Sequence, residues 1–256
     1  MAFHMTPMQI AEFSTFANLA DNRTRRDLAK RRITSENDYT SQFLGRLSDM
    51  IEDNSATGLT GASFKLPGSA ETKLGCDAAI VLHSGGESKV AIFEAKYPRL
   101  KTRLPAWDYP QTTGTSASHF SSQLARQAAA PGWLAKFEMF FCEYESTRQP
   151  THFENEGSTC VRHGNAVAFM NSRAVPSQVW TNTDLQAMFT AQPTFTTGEL
   201  MLQFAACRDG QPKSDTEVVM LFNQYGIPPQ GALHITALPE PEQDPEPTRR
   251  SRNTPG

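Results

Sequence analysis

Two apolar runs decide the fold of this chain, GCDAAIVL at residues 75–82 and KVAIFEAK at residues 89–96. A Gly-Gly pair at 85–86 separates them. Adjacent glycines between strand-like runs favour a two-residue hairpin, because glycine adopts positive φ at both turn positions. In that register Asp77 lies opposite Glu94, and directly opposed side chains are about 5 Å apart on one face of a sheet.

A third charged residue, Lys96, follows Glu94 by two positions and therefore lies on the same face. Carboxylates this close in an apolar setting repel each other, and each is costly to bury alone. A divalent cation would resolve the conflict, so the hairpin predicts half of a metal site. The alternative is a buried ion pair of Lys96 with Asp77 or Glu94.

The composition sets loose bounds on the function. The chain has 256 residues and a net charge of −3, so any contact with a polyanion has to come from a local patch. Its four cysteines form no CxxC pair, which favours a reduced, cytoplasmic protein over a disulfide scaffold or a zinc module. No signal peptide and no apolar stretch of membrane-spanning length is apparent, so we expect no membrane association.

The pattern along the chain predicts an α/β fold with a mixed central sheet flanked by helices and a helical C-terminal elaboration. Helices are predicted at 7–32, 35–53 and 120–130 and after capping boxes at 196–199 and 214–217, and strands at 62–66, 137–144, 166–170 and 233–237. The predicted domains are an N-terminal helical segment (1–32), a core (33–170), a C-terminal α/β elaboration (171–238) and a disordered tail (239–256).

Glu36 is the one acid on the apolar stripe of the helix predicted at 35–53. On a helical wheel it is centred on the side chains that would be buried, whereas Asp38, Asp49 and Glu52 fall on the opposite side. One interpretation is that Glu36 points towards the site of Asp77. The other is that it only begins the helix, where the macrodipole favours a negative charge.

These residues resemble the PD-(D/E)XK nuclease superfamily over roughly residues 30–145. The resemblance is carried by Glu36, Gly75-Cys76-Asp77, Glu94-Ala95-Lys96, and the pair Gln123 and Gln127. Cys76 stands where the name-giving proline would be. The resemblance implies a restriction-endonuclease-like core that hydrolyses phosphodiester bonds with Mg²⁺ or Mn²⁺. Two further Glu-x-Lys triplets, 71–73 and 87–89, lie in a polar segment and at the turn, so only 94–96 ends a strand that is apolar on both faces.

The resemblance also assigns roles. The expected metal ligands are Asp77, Glu94, the backbone carbonyl of Ala95, and Glu36. Lys96 would orient or activate the attacking water, and Gln123 would contact the edge of the active site. The residues expected to contact nucleic acid are Gln127, Arg99, Lys101 and Arg103, the last three in a long loop with interleaved aromatic residues. The cationic run at 23–32 offers a second such patch.

The resulting hypothesis is a metal-dependent nuclease acting on DNA, with RNA left open, and with restriction or anti-phage defence as the setting that the superfamily suggests. A homodimer or a partner protein from such a system is also left open. One alternative is a catalytically inactive nucleic-acid-binding protein that keeps the nuclease fold. Another is an unrelated interaction domain in which Asp77 and Glu94 are structural.

Overall fold

The computed structural model describes residues 3–63, 66, 68–99, 107–108, 117–143, 157–228 and 230–238. Within these ranges a sheet is flanked by helices on both faces. The helices are α1 Pro7–Ala29, α2 Glu36–Asn54, α3 Gly68–Leu74, α4 His119–Ala129, α5 His163–Ser172, α6 Asn182–Ala191, α7 Thr197–Ala205 and α8 Asp215–Tyr225. The strands are β1 Leu59–Ala62, β2 Ala78–Ser84, β3 Glu87–Lys96, β4 Ala135–Phe140, β5 Thr159–Arg162, β6 Thr194–Phe195, β7 Lys213–Ser214 and β8 Leu233–Ala237.

The sheet is mixed, which confirms the predicted α/β class. Its strand order is β1-β8-β2-β3-β4-β5-β6, with β7 paired to β3 outside this path. The β8–β2 and β3–β4 pairs are parallel, and the other pairs are antiparallel. Strand β8, from the segment predicted to be a C-terminal elaboration, lies between β1 and β2 and so belongs to the central sheet.

The central hairpin has the predicted register. Ala78 pairs with Phe93, as that register requires, and the ladder ends at this pair. Asp77 is the residue before it, and its backbone N–H donates to the carbonyl of Phe93. Both turn glycines have positive φ, 63° at Gly85 and 82° at Gly86, as a primed two-residue turn requires.

Two apolar layers enclose β3, because its side chains alternate between the two faces of the sheet. On one face Ala91 and Phe93 pack with residues of α1, α2 and α7. On the other face Val90 and Ile92 pack with α3 and α8. Helix α2 buries the predicted stripe, from Tyr39 through Ile51. Glu94 and Lys96, at the end of β3, are therefore carried by a strand that is buried on both faces.

Several predicted elements were displaced or wrong. The apolar run 166–170, predicted as a strand, lies within helix α5, because a short apolar run does not distinguish a buried strand from a helix by periodicity. The first strand occupies 59–62 instead of 62–66, and the strand predicted at 137–144 occupies 135–140. Both capping boxes and the strand at 233–237 are confirmed. The predicted tail, 239–256, lies outside the described residues.

No helix in the described part of the chain is both long enough and apolar enough to cross a bilayer.

Candidate active site

Asp77 lies just before β2 and is held against the edge of β3. Its backbone N–H donates to the carbonyl of Phe93 at 2.9 Å, and its Oδ2 accepts from the backbone N–H of Ala95 at 2.7 Å. In a strand the N–H and C=O of one residue point to the same side, and alternate residues share that side. The carbonyl of Ala95 therefore points towards Asp77, beyond the end of β2. A metal ion bound beside Asp77 could accept this oxygen as a ligand.

Glu94 is buried, with 1% of its surface exposed. Its Oε1 accepts from the ammonium of Lys96 at 2.5 Å and from the side-chain amide of Gln123. Its Oε2 is also buried, and no described residue donates a hydrogen bond to it. Burial raises the pKa of Glu94 well above its usual value, and the charge of Asp77 adds to this effect while Lys96 opposes it.

Lys96 links the hairpin to helix α2. Its Nζ is 2.5 Å from Glu94 Oε1 and 3.7 Å from Glu36 Oε2. Burial disfavours the ammonium, but the carboxylates of Glu94, Glu36 and Asp77 outweigh burial and raise the pKa of Lys96. Lys96 is therefore a protonated hydrogen-bond donor in this arrangement.

Glu36 begins helix α2 and also contacts the end of β3. It is the first residue of α2, after the N-cap Ser35, whose side chain accepts from the N–H of Asp38. Its Oε1 also accepts from the backbone N–H of Tyr97 at 2.9 Å, so the start of the helix is joined to the end of β3. Its side chain is 39% exposed, which leaves it accessible from solvent beside the buried Lys96.

The two glutamines of α4 lie on the same side of the site but have different surroundings. Gln123 donates to Glu94, as an active-site residue would. Gln127 is fully buried and donates to the carbonyl of Gly75 at 2.7 Å. A fully buried side chain does not reach a nucleic acid at the surface, so the burial of Gln127 argues against the predicted contact. Gln127 positions the turn that leads into Asp77.

Gly75 is required at that turn for two reasons. Its φ is +69°, in the left-handed region that favours glycine. A Cβ there would lie 2.7 Å from the backbone carbonyl oxygen of Gln123, so a larger residue would push α4 away from the site.

A second buried acid, Glu138, was not predicted as a site residue, and it lies beside Glu94 in the parallel β3–β4 register. It accepts from Gln127 Nε2 at 3.3 Å and lies 3.0 Å from His163 Nδ1. Glu138 is fully buried and stands between two apolar residues in sequence. The criterion that selected Glu94, a charge within an apolar strand, would have selected Glu138 as well.

A cleft of about 500 Å³ reaches Asp77 from the exposed side of α2. Its described lining includes Asp49, Glu52 and Glu71, and it contains no Lys or Arg among those residues. Burial raises the pKa of Asp77 to about 6, and Glu36 and Glu71 add to the shift while Lys96 and the Ala95 N–H oppose it. A cleft lined by carboxylates that leads to Asp77 attracts a cation and repels a polyanion.

The residues at this end of the hairpin fit a hard divalent cation. Two carboxylates and a backbone carbonyl are the oxygen ligands that Mg²⁺ takes alongside water, and the buried Oε2 of Glu94 lacks a partner. Across the described residues, no three His, Cys, Asp or Glu side chains form a group that could hold a metal. Glu36 therefore does not join Asp77 and Glu94 at one point, and it is held instead by Lys96 and the Tyr97 N–H.

Of the cations predicted to bind nucleic acid, Arg99 is exposed and lies three residues beyond Lys96. Lys101 and Arg103 fall outside the described residues. No protein-family model, curated protein or solved structure matches this chain.

Proposed function

We propose that this chain is a metal-dependent nuclease that hydrolyses phosphodiester bonds in DNA. One observation carries the proposal: Glu94, a buried carboxylate with an unpartnered oxygen, lies against the ammonium of Lys96, and Asp77 accepts from the backbone N–H of the next residue, Ala95. A site that served only structure would pair these charges completely, because an unsatisfied buried carboxylate oxygen costs free energy.

Each residue has a role that follows from its chemistry. Asp77, Glu94 and the carbonyl of Ala95 would hold the cation. A bound Mg²⁺ or Mn²⁺ supplies polarisation of the scissile phosphate and offsets the charge that develops on it. Lys96, kept protonated by its carboxylate neighbours, donates to a phosphate oxygen or to the attacking water. Glu36, partly exposed and close to Lys96, accepts from that water and orients it.

The raised pKa values of the buried carboxyl groups support this function. Burial raises the pKa of both Asp77 and Glu94, so their ionised forms destabilise the fold near neutral pH in the absence of a cation. Proteins often retain such unfavourable groups where activity needs them. A metal ion would replace the proton that the Asp77 carboxyl otherwise favours.

The test is a cleavage screen. The purified chain is incubated with Mg²⁺ or Mn²⁺ and with supercoiled, linear and single-stranded DNA and RNA, and the products are separated on gels. We expect cleavage of DNA, and we expect Lys96→Met to lower the rate by about 100-fold or more, as removal of a single donor to developing charge typically does. The same substitution keeps the aliphatic part of the side chain.

Lys73, in the Glu-x-Lys triplet at 71–73, supplies a matched control. Lys73 follows Glu71 at the same spacing, but it is exposed on α3. The Lys73→Met variant should therefore cleave DNA at the rate of the parent. Melting temperatures of all variants establish that they are folded. If the parent leaves every nucleic acid intact with Mn²⁺, or if Lys96→Met cleaves as fast as the parent, the proposal is wrong.

A further inference from the structure

A buried polar network joins helix α5 to the turn that precedes β2. His163 Nδ1 lies 3.0 Å from Glu138 Oε1. The other oxygen of Glu138, Oε2, accepts from Gln127 Nε2 at 3.3 Å, and the same nitrogen donates to the carbonyl of Gly75 at 2.7 Å. All three side chains are buried. Three hydrogen bonds therefore connect the first residue of α5 to a residue two positions before Asp77.

The acceptors of this polar network fix which atoms donate. An ionised carboxylate and a backbone carbonyl only accept hydrogen bonds. The Gln127 amide therefore presents its nitrogen to both Glu138 and Gly75, and two acceptors hold the amide in one orientation. For the same reason His163 Nδ1 carries the proton that Glu138 accepts. The other ring nitrogen, Nε2, is buried and has no hydrogen-bond partner among the described residues, so His163 acts in the network through Nδ1 alone.

The turn at Gly75 is held from both sides. Its backbone N–H donates to the carbonyl of Glu71, in α3, at 2.8 Å, and its own carbonyl accepts from Gln127. Asp77 follows two residues later and contacts the end of β3 through its N–H and its Oδ2. The Asp77 carboxylate is therefore placed by β3 on one side and by the Gly75 turn on the other.

Helix α4 brings one glutamine to each of two neighbouring buried acids. Gln123 donates to Glu94 and Gln127 donates to Glu138, and the two acids are paired in the β3–β4 register. Residues four apart on a helix lie on one face, about 5–6 Å apart at Cβ. Glu94 belongs to the proposed metal site, whereas Glu138 does not. Burial of a carboxylate is costly, so the retention of Glu138 beside the site calls for a role, and its contacts lead to the Gly75 turn.

We propose that His163 and Glu138 are positioning residues of the metal site. They orient Gln127, and Gln127 holds the Gly75 turn, so the Asp77 carboxylate stays where it can bind the cation. This inference rests on the proposed metal-dependent function and adds two residues that do not touch the cation. Residues that hold metal ligands from outside commonly change metal affinity about 10- to 100-fold. Because His163 acts through two intermediate side chains, we expect about ten-fold, the lower end of that range.

The test measures Mn²⁺ binding in the absence of nucleic acid. The EPR signal of free Mn²⁺ broadens when the ion binds to a protein, so a titration gives the Kd. Two uncharged substitutions separate the ring nitrogens of His163. His163→Asn keeps an N–H donor on Cγ, in the place of Nδ1, and should bind Mn²⁺ with the Kd of the parent. His163→Gln carries its amide one bond further out, in the place of Nε2, and should raise the Kd about ten-fold.

Gln127→Met tests the next link of the network. It removes both donor contacts and keeps the length of the side chain, so it should raise the Kd for Mn²⁺ about ten-fold or more. If His163 acts through Gln127, the double variant with His163→Gln should bind like Gln127→Met alone, because residues of one network are not additive. Melting temperatures in EDTA establish which variants are folded. If His163→Gln does not fold, an unchanged Kd in Gln127→Met overturns the proposal by itself.

His83→Gln is the matched control. His83 also belongs to a hydrogen-bonded group, with its Nε2 2.8 Å from His234 Nδ1. It lies six residues from Asp77 along the strand, about 20 Å at the rise of an extended chain. The control should bind Mn²⁺ with the Kd of the parent, whatever its melting temperature.

A purely structural role of His163 would give a different result. His163→Gln would then have a lowered melting temperature and an unchanged Kd for Mn²⁺, and the proposal would be wrong. Equal Kd values for His163→Asn and His163→Gln would also contradict it, since only the second substitution removes the donor at Nδ1.

The outcomes separate this inference from the function on which it rests. If His163→Gln and Gln127→Met weaken Mn²⁺ binding but the parent cleaves no nucleic acid, the nuclease proposal fails and the positioning role stands. If the parent cleaves DNA while both variants bind Mn²⁺ like the parent, the positioning role is wrong and the nuclease stands. A parent that binds no Mn²⁺ also overturns the positioning role.

Discussion

Replacing Asp77 with asparagine should stabilise the metal-free protein near neutral pH. Asparagine keeps an oxygen that can accept from the Ala95 N–H, the contact that the carboxylate makes at 2.7 Å. It removes a negative charge that burial disfavours, since the pKa of Asp77 is raised from 3.8 to about 6. A stabilising substitution at a polar, partly buried residue is unusual, which makes the result informative.

The magnitude follows from proton linkage. A group with a raised pKa in the folded state contributes stability at low pH, and that stability is lost as the pH rises through the folded value. The difference between about 6 and 3.8, at 1.36 kcal/mol for each pKa unit, gives at most about 3 kcal/mol. Asp77→Asn should therefore match the parent near pH 4 and be more stable by up to about 3 kcal/mol near pH 8.

The assay is thermal unfolding of both proteins between pH 4 and pH 8, with and without Mg²⁺. For a chain of this size 3 kcal/mol corresponds to roughly 6–12 °C in melting temperature. Mg²⁺ should raise the melting temperature of the parent at pH 8, by an amount that corresponds to about 2.7 kcal/mol at 100 times its Kd. The variant should not respond, because it lacks one of the two carboxylate ligands.

An exposed acid supplies the comparison. Asp53, at the end of α2, is exposed, so Asp53→Asn should change stability by no more than a few tenths of a kcal/mol and should keep the response to Mg²⁺. The reasoning is refuted if Asp77→Asn is no more stable than the parent at pH 8. It is also refuted if the variant responds to Mg²⁺ as the parent does.

Two other regions give further expectations. Burial lowers the pKa of His83, against the opposing effect of Asp215. The stability that neutral His83 contributes is therefore present above about pH 6.5 and is lost as the pH falls. In urea denaturation, the free energy of unfolding should fall less between pH 7 and pH 5 for His83→Gln than for the parent. The carboxylate of Asp21 accepts from Tyr39, Ser158 and Thr197 within the core; Asp21→Ala leaves these donors unpaired and should lower the free energy of unfolding by about 3–5 kcal/mol. A loss below 1 kcal/mol in urea denaturation would contradict this account of Asp21.

The sequence by itself determined the local parts of the site. A Gly-Gly turn sets the register of a hairpin whatever the rest of the chain does, so the pairing of β2 with β3 up to Ala78 and Phe93 was predictable. The apolar stripe of α2 and the two capping boxes depend on neighbours within one helical turn, and these predictions were also confirmed. The presence of Glu36 on that stripe made it a candidate for the site before any contact was known.

Only the tertiary structure decided what surrounds the hairpin. Parallel pairing joins distant segments, so β8 beside β2 and Glu138 beside Glu94 follow from the packing of the whole sheet. The run 166–170 became a helix because it packs against α4 and β4, and its own pattern fits both a strand and a helix. The stacked rings of Tyr39, Phe141 and Tyr97 come from α2, from the segment after β4 and from the end of β3. Ring stacking between such distant segments leaves no periodic signal in a sequence.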